Sequence, residues 1–241
     1  MTDLIFENVN AVNIAADSDP ETVRISVDTK ATIKLGDNSR GGKSRGLKPV
    51  KALDHDMNRK EKLSPGGILE VVTGKPFLFF TSNCKTSDFI ADGIELWWNE
   101  RKEELGWPKR IVINMDNGPE CGGRVSRFLQ RMVEFSDSAN VEIKLAYYPP
   151  YHSKYNSIEH YWGGLERSWN GYLLDSVNTV ISRASNFFWR STRTLTTFID
   201  KAHEKGIKLS KKEKAEVDSR ISRSLTLPFY DITIKPKTVF Q

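Results

Sequence analysis

Alternating apolar and polar positions indicate three β-strands along the chain. Apolar residues take every second position over residues 23–28, 110–115 and 141–145, the period at which side chains of a strand share one face. The last run stops at Pro149-Pro150, because proline has no N–H to donate to a neighbouring strand. The pattern therefore predicts three separate strands, each half covered by other parts of the chain.

Further runs predict a hairpin and a set of helices. Residues 68–73 and 77–81 are rich in β-branched and aromatic residues, and Gly74-Lys75-Pro76 between them is a turn sequence. Apolar residues at helical spacing predict three helices, at about residues 87–105, 125–133 and 157–169.

The order strand, strand pair, helix, strand, helix, strand, helix predicts an α/β fold. We expect a mixed five-stranded sheet flanked by helices, because hairpin strands come first and alternating units follow. Residues 21–175 would form the core. Residues 1–20 are polar with little periodicity and are expected to be a loose lead-in. Residues 176–241 are expected to extend the same domain with helices and a closing strand near 230–234.

Composition narrows the class of protein. The chain has 241 residues with a net charge of +5, a mild basic excess that suits a polyanionic partner without requiring one. It has no apolar run near the roughly 20 residues of a membrane span and no signal-peptide pattern. Two distant cysteines and four histidines form no zinc pattern. We expect both thiols to be reduced, in a cytoplasmic protein.

Three carboxylates occupy positions that suit a metal site. Asp28 ends the first strand, Asp116 ends the strand at 110–115, and Glu159 lies in the first turn of the helix after the third strand. Each has an ordinary explanation: Asp116 opens an Asp-Asn-Gly turn, and an early helical glutamate is favoured by the helix dipole. Together, however, they are expected to converge at one edge of the sheet, where α/β folds place their sites.

Oxygen ligands without cysteine or histidine suit Mg²⁺ or Mn²⁺ better than zinc. Two such ions, about 3.5–4 Å apart, can clamp the attacking and leaving oxygens of a phosphodiester. Glu166 lies seven residues after Glu159 on the same helix face and is the rival third acid. We favour Glu159, because it lies in the first helical turn.

Two basic segments are candidates for DNA contact. Residues 38–53 contain no acidic residue, and they suit either a flexible solvated loop or a loop that contacts phosphates. Residues 147–156 mix aromatic and basic side chains just before Glu159, as a platform for a DNA strand would. The candidate DNA-binding residues are Arg40, Lys43, Arg45, Lys48, His152, Lys154, Tyr155 and Asn156.

The three carboxylate segments resemble those of a known family. Ile25-Ser26-Val27-Asp28-Thr29-Lys30 is similar to the first-Asp strand of bacterial insertion-sequence DDE transposases, and residues 111–118 to their second-Asp strand. Tyr155-Asn156-Ser157-Ile158-Glu159-His160 resembles the Asn-Pro-Ile-Glu segment of that family, with serine in place of proline. His55-Asp56 and the helix at 87–98 resemble the ISAzo-type branch. The similarity covers roughly residues 20–240.

The resemblance implies an RNase H-like catalytic domain in which Asp28, Asp116 and Glu159 bind two Mg²⁺ or Mn²⁺ ions. It implies DNA strand cleavage and strand transfer at the ends of an insertion sequence, by a homo-oligomer bound to element ends and target DNA. Such transposases usually carry an N-terminal helix-turn-helix reader, and only about 20 residues precede the first strand here. A structure-specific RNase H-like nuclease and an inactive remnant that only binds DNA are the alternatives.

Overall fold

A computed structural model describes residues 1–43, 51–52 and 61–237. Its strands are β1 (Thr22–Thr29), β2 (Ile33–Lys34), β3 (Lys62–Glu70), β4 (Pro76–Thr81), β5 (Arg110–Asp116), β6 (Glu142–Tyr148), β7 (Phe188–Trp189), β8 (Thr192–Arg193), β9 (Leu195–Phe198), β10 (Ile221–Arg223) and β11 (Asp231–Ile234). Its α-helices are α1 (Thr2–Ser18), α2 (Ser87–Arg101), α3 (Ser126–Ala139), α4 (Ser157–Ser168), α5 (Val177–Ser185) and α6 (Lys211–Arg220). A single 3₁₀ turn, Ser153–Tyr155, precedes α4 within the described residues.

The predicted strands form the centre of one mixed sheet. Its central order is β4-β3-β1-β5-β6, in which β5 runs parallel to β1 and to β6. The predicted hairpin is confirmed, because β3 pairs antiparallel with β4 and also with β1. This order, with helices on both faces, is the RNase H-like fold that the sequence led us to expect.

Within the described residues the sheet has nine strands rather than the five predicted. The C-terminal extension supplies most of the difference: β9 joins the β4 edge, while β11 and β10 join the β6 edge. The short strand β2 pairs with β3 beside the main path. The predicted closing strand near 230–234 is confirmed as β11. Residues 195–199 fit helix and strand equally well as a sequence, and pairing with β4 makes 195–198 a strand.

Successive side chains of a strand point to opposite faces of the sheet, so buried side chains form one layer on each face. Ile25 and Val27 face the layer of α2 and α3, where Trp97 and Phe128 are fully buried. Trp162 of α4 packs in a second layer with residues of β3 and β4. Polar residues of β1 that alternate with Ile25 and Val27 therefore point toward the α4 side.

Residues 1–20 are not a loose lead-in, because residues 2–18 form helix α1. Its buried side chains are only Ile5, Val9 and Ala16, which pack over β1, β5 and β6. Arg24 of β1 binds Asp17 of the helix with Nε–Oδ1 and Nη2–Oδ2 distances of 2.7 and 2.5 Å. With so few buried positions, the helix has a weak periodic signal in the sequence.

Candidate active site

Strand register places two of the predicted carboxylates side by side. Ser26 of β1 lies opposite Asn114 of β5 in the parallel pair. Asp28 lies two residues after Ser26, and Asp116 lies two residues after Asn114. The two aspartates therefore lie on the same face of the sheet, at equivalent positions of adjacent parallel strands. Both line a cleft of about 190 Å³ at this edge of the sheet.

Helix α4 starts where three hydrogen bonds attach it to β1. The Ser26 hydroxyl accepts from the Ile158 N–H at 2.9 Å and donates to Asn156 Oδ1. The Asn156 amide group donates to the Val27 carbonyl at 3.1 Å. These bonds fix the first turn of the helix, which carries Glu159, beside the strand that carries Asp28.

The three carboxylates are close enough to perturb one another. Burial, followed by the charges of Asp28 and Glu159, raises the pKa of Asp116 from its ordinary value of 3.8 to about 6. Burial is also the main cause of the raised pKa of Asp28. For Glu159, burial and then the charge of Asp28 raise the pKa. A native state without cations therefore holds three carboxylates that resist ionising together.

Two of the carboxylates have contrasting surroundings. Trp162 of α4 donates its indole N–H to Asp28 Oδ2 at 3.1 Å, which fixes the orientation of that carboxylate. Among the described residues, Asp116 Oδ1 is buried without a hydrogen-bond partner. An unpaired buried carboxylate oxygen is costly and suits a position that a cation completes.

Across residues 1–43, 51–52 and 61–237, no three His, Cys, Asp or Glu side chains are arranged to hold a single metal ion. Asp28, Asp116 and Glu159 thus do not surround a single point. Their donor set is still all oxygen, the type that Mg²⁺ and Mn²⁺ prefer.

Lys30 lies between the two acidic residues of α4. Its Nζ is 3.8 Å from Glu159 Oε2 and 3.6 Å from Glu166 Oε2. The Glu159 side chain is 28% exposed, whereas that of Glu166 is 52% exposed. Glu159 is also the helix carboxylate whose charge raises the pKa of Asp116. Of the two helix carboxylates, Glu159 is therefore the less exposed and the one whose charge acts on Asp116.

The basic segment at 38–53 is described only in part. Arg40 lies 5.9 Å from the ring centroid of Trp169, and burial lowers its pKa. Lys43 is exposed, and Gly41 accepts a hydrogen bond from the Gly171 N–H at 2.7 Å. This part of the segment therefore rests on the end of α4. Arg45, Lys48 and the His55-Asp56 pair lie outside the described residues.

The aromatic segment before α4 lies against the N-terminal helix. Phe6 of α1 contacts the rings of His152 and Tyr155, with centroid distances of 5.3 and 4.9 Å. Lys154 Nζ is 5.1 Å from the Tyr155 ring centroid, and both side chains are exposed. These two residues remain available for contact with a DNA strand.

Asn156 was wrongly predicted to contact DNA. Its side chain is only 1% exposed, and both ends of its amide are bonded to β1. It positions the helix instead. Sequence analysis assigned no individual role to Ser26, Lys30 or Trp162.

Comparison with known proteins supports the resemblance found in the motifs. A family model described as the Rhodopirellula transposase DDE domain matches residues 1–236. A comparison with curated protein sequences found no significant match.

Three solved structures of Mos1 transposase are similar in part. The mariner paired-end complex with Mn has a TM-score of 0.47 at 10% identity and covers 74% of this chain and 51% of that chain. The paired-end complex with the left transposon end has a TM-score of 0.48 at 10% identity and covers 74% and 50%. The strand transfer complex has a TM-score of 0.46 at 12% identity and covers 74% and 50%. The chain thus spans about half the length of each of these matched chains.

The family model covers nearly the whole chain, and the motif segments lie at one edge of an RNase H-like sheet. The chain therefore belongs to the family of the Rhodopirellula transposase DDE domain, a family of DDE transposases.

Proposed function

We propose that this chain cuts DNA strands and joins the freed ends to target DNA, as the catalytic domain of an insertion-sequence transposase. The observation that carries the proposal is the grouping of Asp28, Asp116 and Glu159 near one sheet edge, where burial raises the pKa of each and the charge of Asp28 further raises the pKa of Asp116 and Glu159. Repulsion among buried carboxylates disfavours folding unless cations or protons relieve it. Binding of a cation therefore explains such a cluster better than a contribution to the stability of the fold does.

Mg²⁺ or Mn²⁺ fits the residues present. The donors are all carboxylate oxygens, and the unpartnered Oδ1 of Asp116 is buried in the cleft. Asp28, Asp116 and Glu159 would hold two ions, with Asp28 also held by Trp162. When bound, such ions supply Lewis-acid stabilisation of the charge that develops on a phosphodiester.

The residues around the cleft would position the reacting groups. Ser26 and Asn156 hold Glu159 at a fixed place relative to Asp28 through the start of α4. Lys30 provides a positive charge next to Glu159, where a phosphate could also be held. In this position its ammonium group limits the repulsion between Glu159 and Glu166.

DNA is the proposed partner. The described candidates for contact with its backbone and bases are Arg40, Lys43, His152, Lys154 and Tyr155. Cleavage at the two ends of a mobile element requires two active sites, so we propose that the chain acts as a homo-oligomer. None of the helices formed by the described residues has the length and apolar content that a bilayer-spanning segment needs.

The test is a nicking and joining assay with Mn²⁺ on a supercoiled plasmid carrying the DNA that flanks the gene. Wild-type protein should nick this plasmid and join the released 3′ end to a second DNA. Asp116→Asn and Glu159→Gln should do neither, while Glu166→Gln, a matched loss of one carboxylate, should retain both reactions.

The outcomes separate the candidate functions. Nicking that depends on Asp116 but never leads to joining would favour a structure-specific nuclease. Binding of DNA without any metal-dependent cleavage would favour an inactive remnant.

A further inference from the structure

A second cleft continues from the carboxylate cleft across the sheet edge. It has a volume of about 490 Å³ and is formed by the starts of α2 and α3 and by residues 204–209, with Lys214 of α6. Pro119 and Glu120 line both clefts. The two clefts are therefore neighbours, and a DNA strand bound at Asp28 and Asp116 would have the second cleft beside it.

Basic side chains predominate in this second cleft. The five basic lining residues are Lys85, Arg127, Lys205, Lys208 and Lys214, against the three acidic residues Asp88, Glu120 and Glu204. Asp88 is already neutralised, because its Oδ1 lies 2.6 Å from Arg127 Nη2 and 2.7 Å from Arg131 Nη1. The surface presented to a ligand is therefore positive.

Three of the lysines are available for a ligand. Lys205, Lys208 and Lys214 are exposed, and none forms an ion pair with any residue that the structure describes. Lysines that line a concave surface without acidic partners suit an anion with several charges, such as a run of phosphates.

Hydrogen bonds hold the walls of the cleft in place. His203 Nε2 lies 2.8 Å from Asp92 Oδ2 of α2, which ties the segment before the lysines to that helix. Arg131 of α3 binds the other oxygen of Asp92 at 2.7 Å. On the opposite wall, the Ser87 hydroxyl donates to the Glu120 carbonyl at 2.6 Å. The cleft is thus preformed, and a ligand need not order it first.

We propose that this cleft binds the phosphodiester backbone of the DNA strand that continues beyond the reacting phosphate. The inference rests on the proposed function, because it takes the carboxylate cleft as the place where DNA reacts. Lys208 and Lys214 come from different elements and contact successive phosphates of the strand. The cleft reads no sequence, because phosphate contacts position DNA without distinguishing bases.

The test compares two double variants that lose the same charge. Lys208→Ala/Lys214→Ala removes two lysines of the cleft, and Lys109→Ala/Lys235→Ala removes two exposed lysines at the opposite edge of the sheet. Fluorescence anisotropy measures the affinity of the full chain for a labelled duplex of about 40 base pairs at several salt concentrations.

The cleft variant should bind about tenfold or more weakly than wild type, and its log–log salt slope should fall by about 2, since each phosphate contact contributes roughly 0.9. The control variant should stay near wild type. Lys208→Arg/Lys214→Arg keeps both charges and should restore binding. Melting curves confirm folding, which these exposed side chains should not affect.

Equal affinities and salt slopes for the two double-alanine variants would overturn the inference. If wild type then still nicks DNA through Asp116, the proposed function stands and only the cleft assignment falls. If wild type neither binds nor nicks DNA, both the proposed function and this inference fall.

Discussion

Asp116→Asn should stabilise the metal-free protein near neutral pH, because it removes one charge from a crowded site. Burial and the charges of Asp28 and Glu159 raise the pKa of Asp116 from 3.8 to about 6 in the native state. At pH 7.5 the native protein must therefore ionise this carboxyl against its surroundings, whereas the unfolded chain does so freely. Asparagine has nearly the same shape and carries no charge.

The magnitude follows from the size of the pKa shift. Raising the pKa from 3.8 to about 6 corresponds to about 3 kcal/mol, since a tenfold change in an ionisation equilibrium is worth about 1.36 kcal/mol. The side chain is only partly buried, so solvent screening reduces this to about 1–2 kcal/mol. For a chain of this length, 1 kcal/mol moves the melting temperature by about 2–4 °C. Asp116→Asn should therefore melt about 2–8 °C above wild type in EDTA.

The stability difference between Asp116→Asn and wild type should depend on pH. Between pH 3.8 and about 6 the native state binds more protons at Asp116 than the unfolded state, so the free energy of unfolding of wild type falls as the pH rises. The advantage of Asp116→Asn should be small near pH 4, grow up to about pH 6 and stay constant above it. Urea unfolding curves at pH 4.5, 6 and 7.5 measure this difference.

In the presence of a divalent metal ion, wild type should become more stable than Asp116→Asn. A ligand that binds only the native state stabilises it by about 2.7 kcal/mol at a concentration of 100 times its Kd. Wild type should gain such stabilisation from Mn²⁺ and Asp116→Asn should lose most of it. Glu166→Gln is the control, because it removes a carboxylate that is more exposed. A variant no more stable than wild type in EDTA, or one that responds equally to Mn²⁺, would refute the reasoning.

Three further predictions concern the supports of the site. Trp162→Phe removes the indole donor to Asp28, and a hydrogen bond to a charged group contributes about 1.5–3 kcal/mol. This variant should therefore need about ten times more Mn²⁺ than wild type for the same rise in melting temperature. Melting curves over a series of Mn²⁺ concentrations measure the difference. Asn156→Ala removes the acceptor of the Ser26 O–H and the amide donor to the Val27 carbonyl, and it should lower the free energy of unfolding by about 2–4 kcal/mol in urea. A loss of DNA affinity at unchanged stability would contradict the positioning role. Thr86→Ala removes the side-chain cap of α2 and should cost about 1 kcal/mol in the same assay, with no change in the response to Mn²⁺.

The sequence predicted the central sheet because its strands alternate clearly between buried and solvated faces. It also predicted that Asp28 and Asp116 lie at strand ends, because a carboxylate that ends an apolar run is visible locally. Helix α1 was missed, since only three of its side chains are buried. The bond between Trp162 and Asp28 was missed for a different reason: it joins residues 134 apart in the chain. Local periodicity carries no information about such a contact.

The same limit explains why Asn156 was misinterpreted. In the sequence it stands in an aromatic and basic segment, which favours a surface role. In the structure it ends that segment, and its amide is buried beneath the first turn of α4. The resemblance singled out this segment, but only the packing distinguishes exposed residues of the segment from those that hold the backbone.

The hydrogen bonds that attach α4 to β1 oppose the repulsion among the nearby carboxylates. Repulsion among three partly buried carboxylates would tend to push Glu159, on the helix, away from the two aspartates on the sheet. A partly exposed ion pair such as that with Lys30 resists this only weakly, because solvent and salt screen it. Buried hydrogen bonds through Ser26 are not screened in this way, so they can hold the helix start in place while the site is without cations. The fold thus keeps the carboxylates close in the absence of a cation, and under the proposed function a bound cation would offset their repulsion.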